Sequence, residues 1–476
     1  MINTITIAWI ALPLFIGFVI YLIPKLDRYL AVGTTLVSLG YGLQVLFSQS
    51  PLTLQLLDNF GVTLQVDHLS GYFILTNALV ATAVLLYCWH SDKTAFFYMQ
   101  TLILHGSLNA VFVCADFMSL YVALEVIGIA AFLLIAYPRT ERSIWVALRY
   151  LFVSNTAMLF YLVGAVLVYK ANHSFAFAGI GNAPTEALAL IVVGLLTKGG
   201  VFVSGLWLPL THSESESPVS ALLSGVVVKA GVFPLLRCAL LSDEVNEVVR
   251  IFGVGAALFA VFYAILEKDT KRTLALSTIS QLGWILAAPN VGGLYALAHG
   301  LAKSTLFLVA GTLPSRKFKE LQQMPMNTAL WIALVMASLS ISGFPLFVGF
   351  EAKILTLKYL PPLYWIAMNV AATGTAIVYA KFIFLPHGGN TKIRFGLWLA
   401  VIPLIMALFI ANIAYYEAYT LANIAKVIAI VGAGWAAYAL VFRRLELRLP
   451  RVLEQFEHLI GGMSLMLIVL FWMVFT

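Results

Sequence analysis

The sequence predicts an all-α, polytopic membrane protein with about 14–16 transmembrane helices, and three observations support that prediction. Apolar runs of about 20 residues recur along the chain, which is the length an α-helix needs to cross a bilayer. Hydrophobic residues make up 62% of the 476 positions and charged residues only 10%, too few to cover a soluble protein of this size. The loops between the apolar runs alternate between basic and nearly uncharged, as the loops of a polytopic protein do.

Sixteen apolar runs are the candidate spans, with boundaries good to a few residues. The first eight cover about 2–24, 29–49, 69–90, 95–115, 117–137, 144–169, 185–211 and 217–241. The second eight cover about 246–267, 270–289, 291–313, 327–357, 364–386, 394–415, 421–442 and 459–475. The second span and the last three have the weakest signal, so the pattern also allows 14 or 15 helices.

Basic residues fall almost entirely in the odd-numbered loops of this arrangement. The even-numbered loops hold only Lys170, Arg250 and Lys358. The odd-numbered loops hold Lys25, Arg28, Lys93, Arg139, Arg142, Lys268, Lys271, Arg272, Arg316, Lys317, Lys319, Lys392, Arg394, Arg443, Arg444, Arg448 and Arg451. Because Lys and Arg concentrate in cytoplasmic loops, this bias predicts a non-cytoplasmic N-terminus. It also explains the formal charge of +7 without a nucleic-acid partner.

Two of the spans are interrupted in the same manner. The seventh is broken by two glycines after Lys198, and the twelfth is broken at Gly343. The breaks are five spans apart, so the broken helices should cross the membrane in opposite directions, as in an inverted repeat of five helices. The predicted domains are N-terminal helices (1–94), an antiporter-like core (95–386, with repeats 95–241 and 246–386) and C-terminal helices (387–476).

Six ionisable side chains stand inside the apolar spans and are the candidate proton-transfer residues: Glu125, Lys198, Lys229, His299, Lys303 and Lys353. A lysine at the bilayer centre costs roughly 2.5–3.5 kcal/mol on insertion scales, so four of them indicate a function. The alternative is that the lysines are static counter-charges that tie helices together. Since the central acids are fewer than the lysines, some lysines must be neutral part of the time or be solvated by internal water.

Glu125 is the expected acidic partner of Lys198. A nearby opposite charge favours the charged form of a buried lysine, whereas desolvation favours the neutral form. A pair that opens and closes would therefore switch Lys198 between holding and releasing a proton. The alternative for Glu125 is a protonated carboxyl bonded to a backbone carbonyl.

His299 and Lys303 stand four residues apart, on one face of the eleventh span. An imidazole titrates near neutral pH and can relay a proton between lysines through water, although a single His on an apolar face can also be a satisfied core residue. Metal binding is not indicated, because no second His or carboxylate lies at ligand spacing.

Three further residues are candidates for a proton entrance or exit. Glu351 precedes Lys353 by two residues and should face elsewhere if that segment is helical. His212 and Glu214 occupy the polar turn after the broken seventh span, where the alternative is ordinary loop polarity.

The motifs of cofactor-binding enzymes are absent from the sequence. Cys88, Cys114 and Cys238 have no metal-site spacing, and there is no Walker motif and no GxGxxG after a strand. We therefore expect no cofactor and no metal in this chain, and a transporter rather than an enzyme by itself.

Several segments resemble the antiporter-like membrane subunits shared by Mrp-type Na+/H+ antiporters and respiratory complex I. They are LYVALEVIGIAAFLLIAY, WLPL with His212, PVSALLSGVVVKAGVF, EKDTKRTLALSTISQLG, HGLAKSTLFLVAG and SGFPLFVGFEAK. The resemblance covers most of the chain and is strongest from about 117 to 357. It implies that Glu125 and Lys198 are a coupling pair, Lys229 with His299 or Lys303 a central relay, and Lys353 the terminal site of a hydrated polar axis.

Within that family the sequence is similar to the MrpD component of the antiporters or to a cyanobacterial NdhD-like homologue. Complex I members usually carry KxPxxPxHxWLP, whereas this chain has KGGVFVSGLWLP. The resemblance implies a proton-translocating subunit of a multisubunit monovalent cation/proton antiporter in a bacterial plasma or thylakoid membrane. Its expected partners are other membrane subunits, protons, Na+ and the lipid bilayer. The alternatives are a proton-pumping subunit of an NAD(P)H- or ferredoxin-quinone oxidoreductase, and a self-sufficient solute carrier.

Overall fold

Long helices dominate the structure. The computed structural model describes residues 2–48, 50–57, 61–390, 393–445, 447 and 449–475. The first half contains α1 (Ile2–Leu22), α2 (Asp27–Phe47), β1 (Leu52–Leu57), β2 (Gly61–Val66), α3 (His68–Tyr87), α4 (Ala95–Val111), α5 (Phe117–Ile135), α6 (Glu141–Asn172), α7 (Thr185–Gly199), α8 (Leu208–Glu214), α9 (Ser217–Leu222) and α10 (Lys229–Ala239). The second half contains α11 (Asp243–Leu266), α12 (Thr270–Ala287), α13 (Gly292–Ala310), α14 (Phe318–Leu321), α15 (Thr328–Ser342), α16 (Val348–Lys358), α17 (Pro362–Ile383), α18 (Phe395–Ala414), α19 (Leu421–Ala437) and α20 (Phe456–Phe475).

The prediction of a polytopic helical membrane protein is confirmed. Thirteen helical segments in the described part of the chain are long and apolar enough to cross a membrane. The other three predicted spans are also helical. Helix α4 has only 17 residues, α12 carries Lys271 and Arg272 in its first turn, and the twelfth span consists of the separate helices α15 and α16.

A short β-hairpin between α2 and α3 was not predicted. Strands β1 and β2 pair antiparallel, with Leu52 opposite Val66 and Leu54 opposite Leu64. Their sequences, LTLQLL and GVTLQV, alternate apolar and polar residues in part, which is a strand signal that the search for helical spans passed over. Leu54, Leu64 and Val66 are buried, so the hairpin packs one face against the helices.

Both helix breaks are present, and they have the same geometry. Gly200 and Gly343 follow α7 and α15 in the left-handed region, with φ of 68° and 81°. At each break the glycine amide donates to the carbonyl three residues back, and the next amide donates to the carbonyl five residues back, at 2.8 and 3.0 Å. This Schellman arrangement satisfies carbonyls that a helix end leaves free. The inverted repeat and the domain boundaries remain predictions.

The most buried helices form the centre of the bundle. Every residue of α12 and α13 is buried, as is every residue of the segment from Ser217 to Ala239. The outer helices α1, α2 and α18 to α20 bury only about a quarter to a third of their residues. Lys229 and Lys303 lie on these segments with none of the residue exposed, so their amines must be satisfied inside the bundle.

Candidate functional site

Lys198 lies at the end of the first half of the broken seventh span. It is in the last turn of α7, two residues before Gly200, and its side chain is buried. Its Nζ donates a hydrogen bond of 2.6 Å to the Oγ of Ser154 on α6. The amine also lies against Gly128 on α5, where a Cβ atom would stand 3.1 Å from it. The break therefore delivers an amine into a contact between α5 and α6.

Glu125 is on the same face of α5 as Gly128, one turn earlier, so its carboxyl is directed toward the side of the helix that Lys198 approaches. No ion pair within 4.0 Å joins Glu125 and Lys198 among the described residues, although the carboxylate acts electrostatically on the amine. One carboxylate oxygen, Oε1, is buried without a hydrogen-bond partner. The structure thus shows the predicted pair close but separated, with an acceptor left free.

Lys229 lies at a disturbed turn in the middle of the eighth span. A π-helical turn at Leu223–Val227 precedes α10, and such a turn releases backbone carbonyls from the helical ladder. The Nζ of Lys229 donates to the carbonyls of Gly225 and Ser224, the latter at 3.4 Å. It also lies within hydrogen-bond distance of the Nδ1 of His299, at 3.1 Å. Lys229 is therefore in direct contact with His299, one of the two relay partners that the resemblance implies.

Lys303 lies one turn beyond His299 on α13, as their spacing predicts. Both residues are essentially inaccessible to solvent. The Nζ of Lys303 donates 2.8 Å to the carbonyl of Leu274 and lies 5.6 Å from the ring centre of Tyr379. The amine is therefore in contact with neutral groups. No carboxylate is paired with it in the described part of the chain.

Lys353 is the buried amine of the second broken span. It is on α16, and 4% of the residue is exposed. Its Nζ has no hydrogen-bond partner and lies 4.9 Å from the ring centre of Trp284. A buried ammonium without a partner is costly, so this site requires either a neutral amine or internal water.

A small cavity lies between His299 and the second break. It has a volume of ≈ 10 Å³ and is lined by Gln281, Tyr295, His299, Ser340 and Gly349, with two apolar neighbours. The Nε2 of His299 and the Oγ of Ser340 are buried without partners. Space for about one water, lined by unsatisfied polar atoms, is the setting in which a buried water forms a bridge. Such a water would link α13 to the broken helix that carries Lys353.

The two candidate entrance residues on α8 have different surroundings. His212 is fully buried, stacks on Phe307 at 4.7 Å, and has no hydrogen-bond partner for either ring nitrogen. Glu214 is partly exposed and lies 3.6 Å from Arg142. Only Glu214 is near the surface, while His212 lies inside, where Lys271 and Lys303 act on it electrostatically.

Glu351 and Lys353 point in different directions, as the helical spacing predicts. Both carboxylate oxygens of Glu351 accept the amide of Ala418 at 3.0 Å, in the connection between α18 and α19. Glu351 is therefore bound to a loop and separated from the amine of Lys353.

Two basic residues have more buried positions than their sequence context indicates. Arg237 and Lys381 stand near the ends of predicted spans. Arg237 is buried against Asp67, and Lys381 donates to the carbonyls of Ala264 and Glu267 at 2.9 and 2.8 Å. These partners lie on distant parts of the chain, so the sequence does not reveal them.

Sequence reasoning also missed the neutral polar residues of the site. Ser154, Ser340 and Gln281 carry no charge, and each is an ordinary residue in its own helix. In the described part of the chain, no group of three or more His, Cys, Asp or Glu side chains could hold a metal ion.

Comparison with known proteins identifies the family. The profile of the family described as NADH:quinone oxidoreductase/Mrp antiporter, TM, matches residues 114–378, more than half of the chain. This chain belongs to that family. The matched region contains all six candidate proton-transfer residues and both helix breaks. The protein is therefore an integral membrane protein of the antiporter-like type.

Curated relatives in the NADH:quinone oxidoreductase/Mrp antiporter family are subunits of larger assemblies. NADH-quinone oxidoreductase subunit N of Desulforudis audaxviator is 31% identical over 362 residues, 68% of this chain and 72% of the relative. NAD(P)H-quinone oxidoreductase chain 4 2 of Microcystis aeruginosa is 30% identical over 393 residues, 73% of this chain and 70% of the relative.

Two solved structures share the fold of this family member. A chain of the membrane-bound sulfane sulfur reductase, an archaeal respiratory membrane complex, matches with a TM-score of 0.77 at 21% identity, covering 91% of this chain and 99% of that one. A chain of the Mrp complex from Dietzia sp. matches with a TM-score of 0.73 at 23% identity, covering 98% of this chain and 55% of that one. At these identities the likeness shows the fold alone.

Proposed function

We propose that this chain is a proton-translocating subunit of a multisubunit membrane complex of the Mrp or complex I-like type. The single observation that carries the proposal is the row of buried amines and unpartnered polar atoms between the two helix breaks. Lys198 is near one break and Lys353 is near the other, with Lys229, His299 and Lys303 on the central helices. Family membership supports the same proposal.

The row has the properties that proton transfer requires. Lys229 and His299 are already in hydrogen-bond contact, so a proton can pass between them without movement of the backbone. Glu125 and Lys198 are close but not bonded, so a small shift makes or breaks an ion pair. Moving one elementary charge across a membrane potential of 100 mV involves ~2.3 kcal/mol. This energy is comparable to the cost of one charged lysine in the bilayer, so the membrane potential can offset the cost of protonating a buried lysine.

Two assemblies are candidates, and each has its own support. The missing prolines between Lys198 and WLPL favour a cation/proton antiporter, with Na+ as the candidate cation. The names of the curated relatives favour a proton-pumping subunit of a bacterial quinone oxidoreductase. Mass spectrometry of the co-purified proteins distinguishes them: flavin or iron–sulfur subunits indicate the oxidoreductase, and small membrane proteins alone indicate the antiporter.

The experiment that tests the function uses the purified complex in proteoliposomes with a pH-sensitive dye inside. In the variant Lys198→Ala, pH-gradient-driven cation exchange or redox-driven proton uptake should fall to background. Lys426→Gln is the matched control, because that lysine is only partly buried, beside Trp365, and lies outside the row. Full transport in Lys198→Ala would contradict the proposal. Transport by this chain alone would instead establish a self-sufficient carrier.

A further inference from the structure

A large cavity lies apart from the row of buried amines. Its volume is ≈ 1440 Å³, above the range of about 300–1,000 Å³ typical of small-molecule sites. It opens where α11 ends and α12 begins, beneath the connection from α19 to α20, and none of the four central lysines lines it. The membrane-spanning helices end here, so the cavity is at the depth of lipid headgroups.

The lining of this cavity is strongly basic. Among the described residues, ten lysine and arginine side chains line it, against four carboxylates, an excess of six positive charges. All four carboxylates are bound to arginines: Glu214 to Arg142, Glu267 to Arg272 and Arg451, Asp269 to Arg316, and Glu454 to Arg272. The acids of the cavity are therefore already neutralised and cannot neutralise further cations.

Five of the basic side chains have no ion pair among the described residues. One is Lys381, whose amine donates to two backbone carbonyls. The other four are Lys268, Lys319, Arg443 and Arg444. Lys268 is partly exposed and the other three are exposed, so their charged ends are free to bind an anion. Ammonium and guanidinium groups bind phosphate oxygens, and guanidinium does so with two parallel hydrogen bonds.

Much of the remaining lining is apolar. Leu210, Leu266, Leu276, Phe442 and Leu449 contribute hydrocarbon surface to the same cavity. A soluble anion such as inorganic phosphate would leave this surface in contact with water. An occupant that matches both the basic part and the apolar part of the lining must be an amphiphile with an anionic head.

We propose that this cavity binds an anionic phospholipid. Its phosphate lies among Lys268, Lys319, Arg443 and Arg444, and its acyl chains run along the leucine-lined part. Basic pockets between membrane helices, on the side with the basic loops, suit such headgroups. A polypeptide segment is the less suitable occupant, because it would need several acidic residues for the free cations and a long apolar stretch for the remainder.

Ion pairs hold the cavity wall in place before any lipid binds. Arg272 bridges Glu267, at 2.9 Å, and Glu454, which belongs to the connection before α20. Burial favours the neutral form of Glu267, but the charge and hydrogen bond of Arg272 outweigh burial and lower the pKa of that carboxyl. The pair of Arg272 with Glu267 thus stays charged at neutral pH, and the contact of Arg272 with Glu454 ties the connection to the core.

The test measures lipid binding to the full chain within its purified complex. The complex is placed in phosphatidylcholine nanodiscs, titrated with cardiolipin or phosphatidylglycerol, and analysed by native mass spectrometry. Arg443→Gln/Arg444→Gln should weaken binding about 20- to 30-fold, because each basic group near an anionic headgroup contributes about a fivefold change in affinity. Lys25→Gln/Arg139→Gln removes the same charge from exposed residues of odd-numbered loops outside the cavity, and it should leave binding unchanged.

Four results would overturn the proposal. The first is equal retention of phosphatidylcholine and cardiolipin by the unmodified chain. The second is an equal loss of binding in both double variants, which would indicate only general attraction by the basic surface. The third is a polypeptide segment of a partner subunit seen in the cavity of the complex. Binding of inorganic phosphate as tight as binding of the lipid would also contradict it, since the apolar half would then contribute nothing.

Discussion

The Nζ of Lys229 and the Nδ1 of His299 lie 3.1 Å apart, although 70 positions separate the two residues in the sequence. When Lys229 is charged it can only donate, so His299 accepts at Nδ1, and a neutral ring then carries its hydrogen on Nε2. Nε2 has no protein partner, and the ring lines the small cavity that Ser340 also lines. Transfer of a proton from Lys229 to Nδ1 would therefore make the hydrogen on Nε2 available on the far side of the ring.

The first prediction concerns this relay. His299→Ala should reduce proton transport by the complex about 100-fold, since general acid–base groups contribute factors of this order. His299→Gln should be similarly slow despite its hydrogen-bonding ability, because an amide cannot bind and release a proton near neutral pH. The measurement is the initial rate of internal pH change in proteoliposomes. Normal rates in both variants would exclude His299 from the path.

The second prediction separates a functional amine from a structural one. Lys353→Met removes a buried amine that has no hydrogen-bond partner, so the complex should be as thermally stable as before, or more so, while transport is lost. Lys381→Met leaves the carbonyls of Ala264 and Glu267 without their donor and should destabilise the fold by about 1–3 kcal/mol. Unfolding temperature and transport are measured on both. A large destabilisation by Lys353→Met would show that its amine is structural.

The third prediction concerns the contact of Arg237 with Asp67 at the start of α3. Burial favours the neutral carboxyl, but the hydrogen bond and charge of Arg237, with the amide of Ser70, lower the pKa of Asp67. Asp67→Asn should therefore destabilise the protein at neutral pH, by about 2–3 kcal/mol given that Asp67 is partly exposed.

The pH dependence of that effect has a definite sign. A lowered folded-state pKa stabilises the fold at pH values above the usual value of 3.8, and this stabilisation is lost as the pH falls through the lower, folded value. The difference in unfolding temperature between wild type and Asp67→Asn should be full at pH 7 and shrink only below about pH 4. A difference that already disappears near pH 6 would assign the effect to another group.

The fourth prediction concerns the second helix break. Gly343 has φ of 81°, where a side chain costs about 1–2 kcal/mol, and a Cβ there would stand 2.7 Å from the Cδ of Lys353. Gly343→Ala should therefore displace that side chain and slow proton transport as well as lower stability. Gly40→Ala is the matched control, because a Cβ at Gly40 meets nothing within 4 Å. Unchanged transport in Gly343→Ala would show that the position of Lys353 is not critical.

Hydropathy predicted the helical elements because the bilayer imposes one requirement on all of them, a run of about 20 apolar residues. The two breaks were predictable because glycine adopts the left-handed conformation that ends a helix more readily than any other residue. The β1–β2 hairpin was missed because its six-residue strands lie between spans and are too short to stand out in a search for apolar runs of about 20 residues. Lys198 and Lys353 stood out because charge in hydrocarbon is rare, whereas Ser154 and Ser340 did not, because a serine in a helix costs little.

The sequence by itself determined which residues carry ionisable groups into the membrane core, because the cost of burying charge makes each of them conspicuous. Only the tertiary structure decided which of those groups meet. Lys229 contacts His299, Glu125 stops short of Lys198, and Glu351 turns away to the amide of Ala418. The physical reason is that helix periodicity defines the face of a single helix, while contacts between faces depend on how the helices pack against one another.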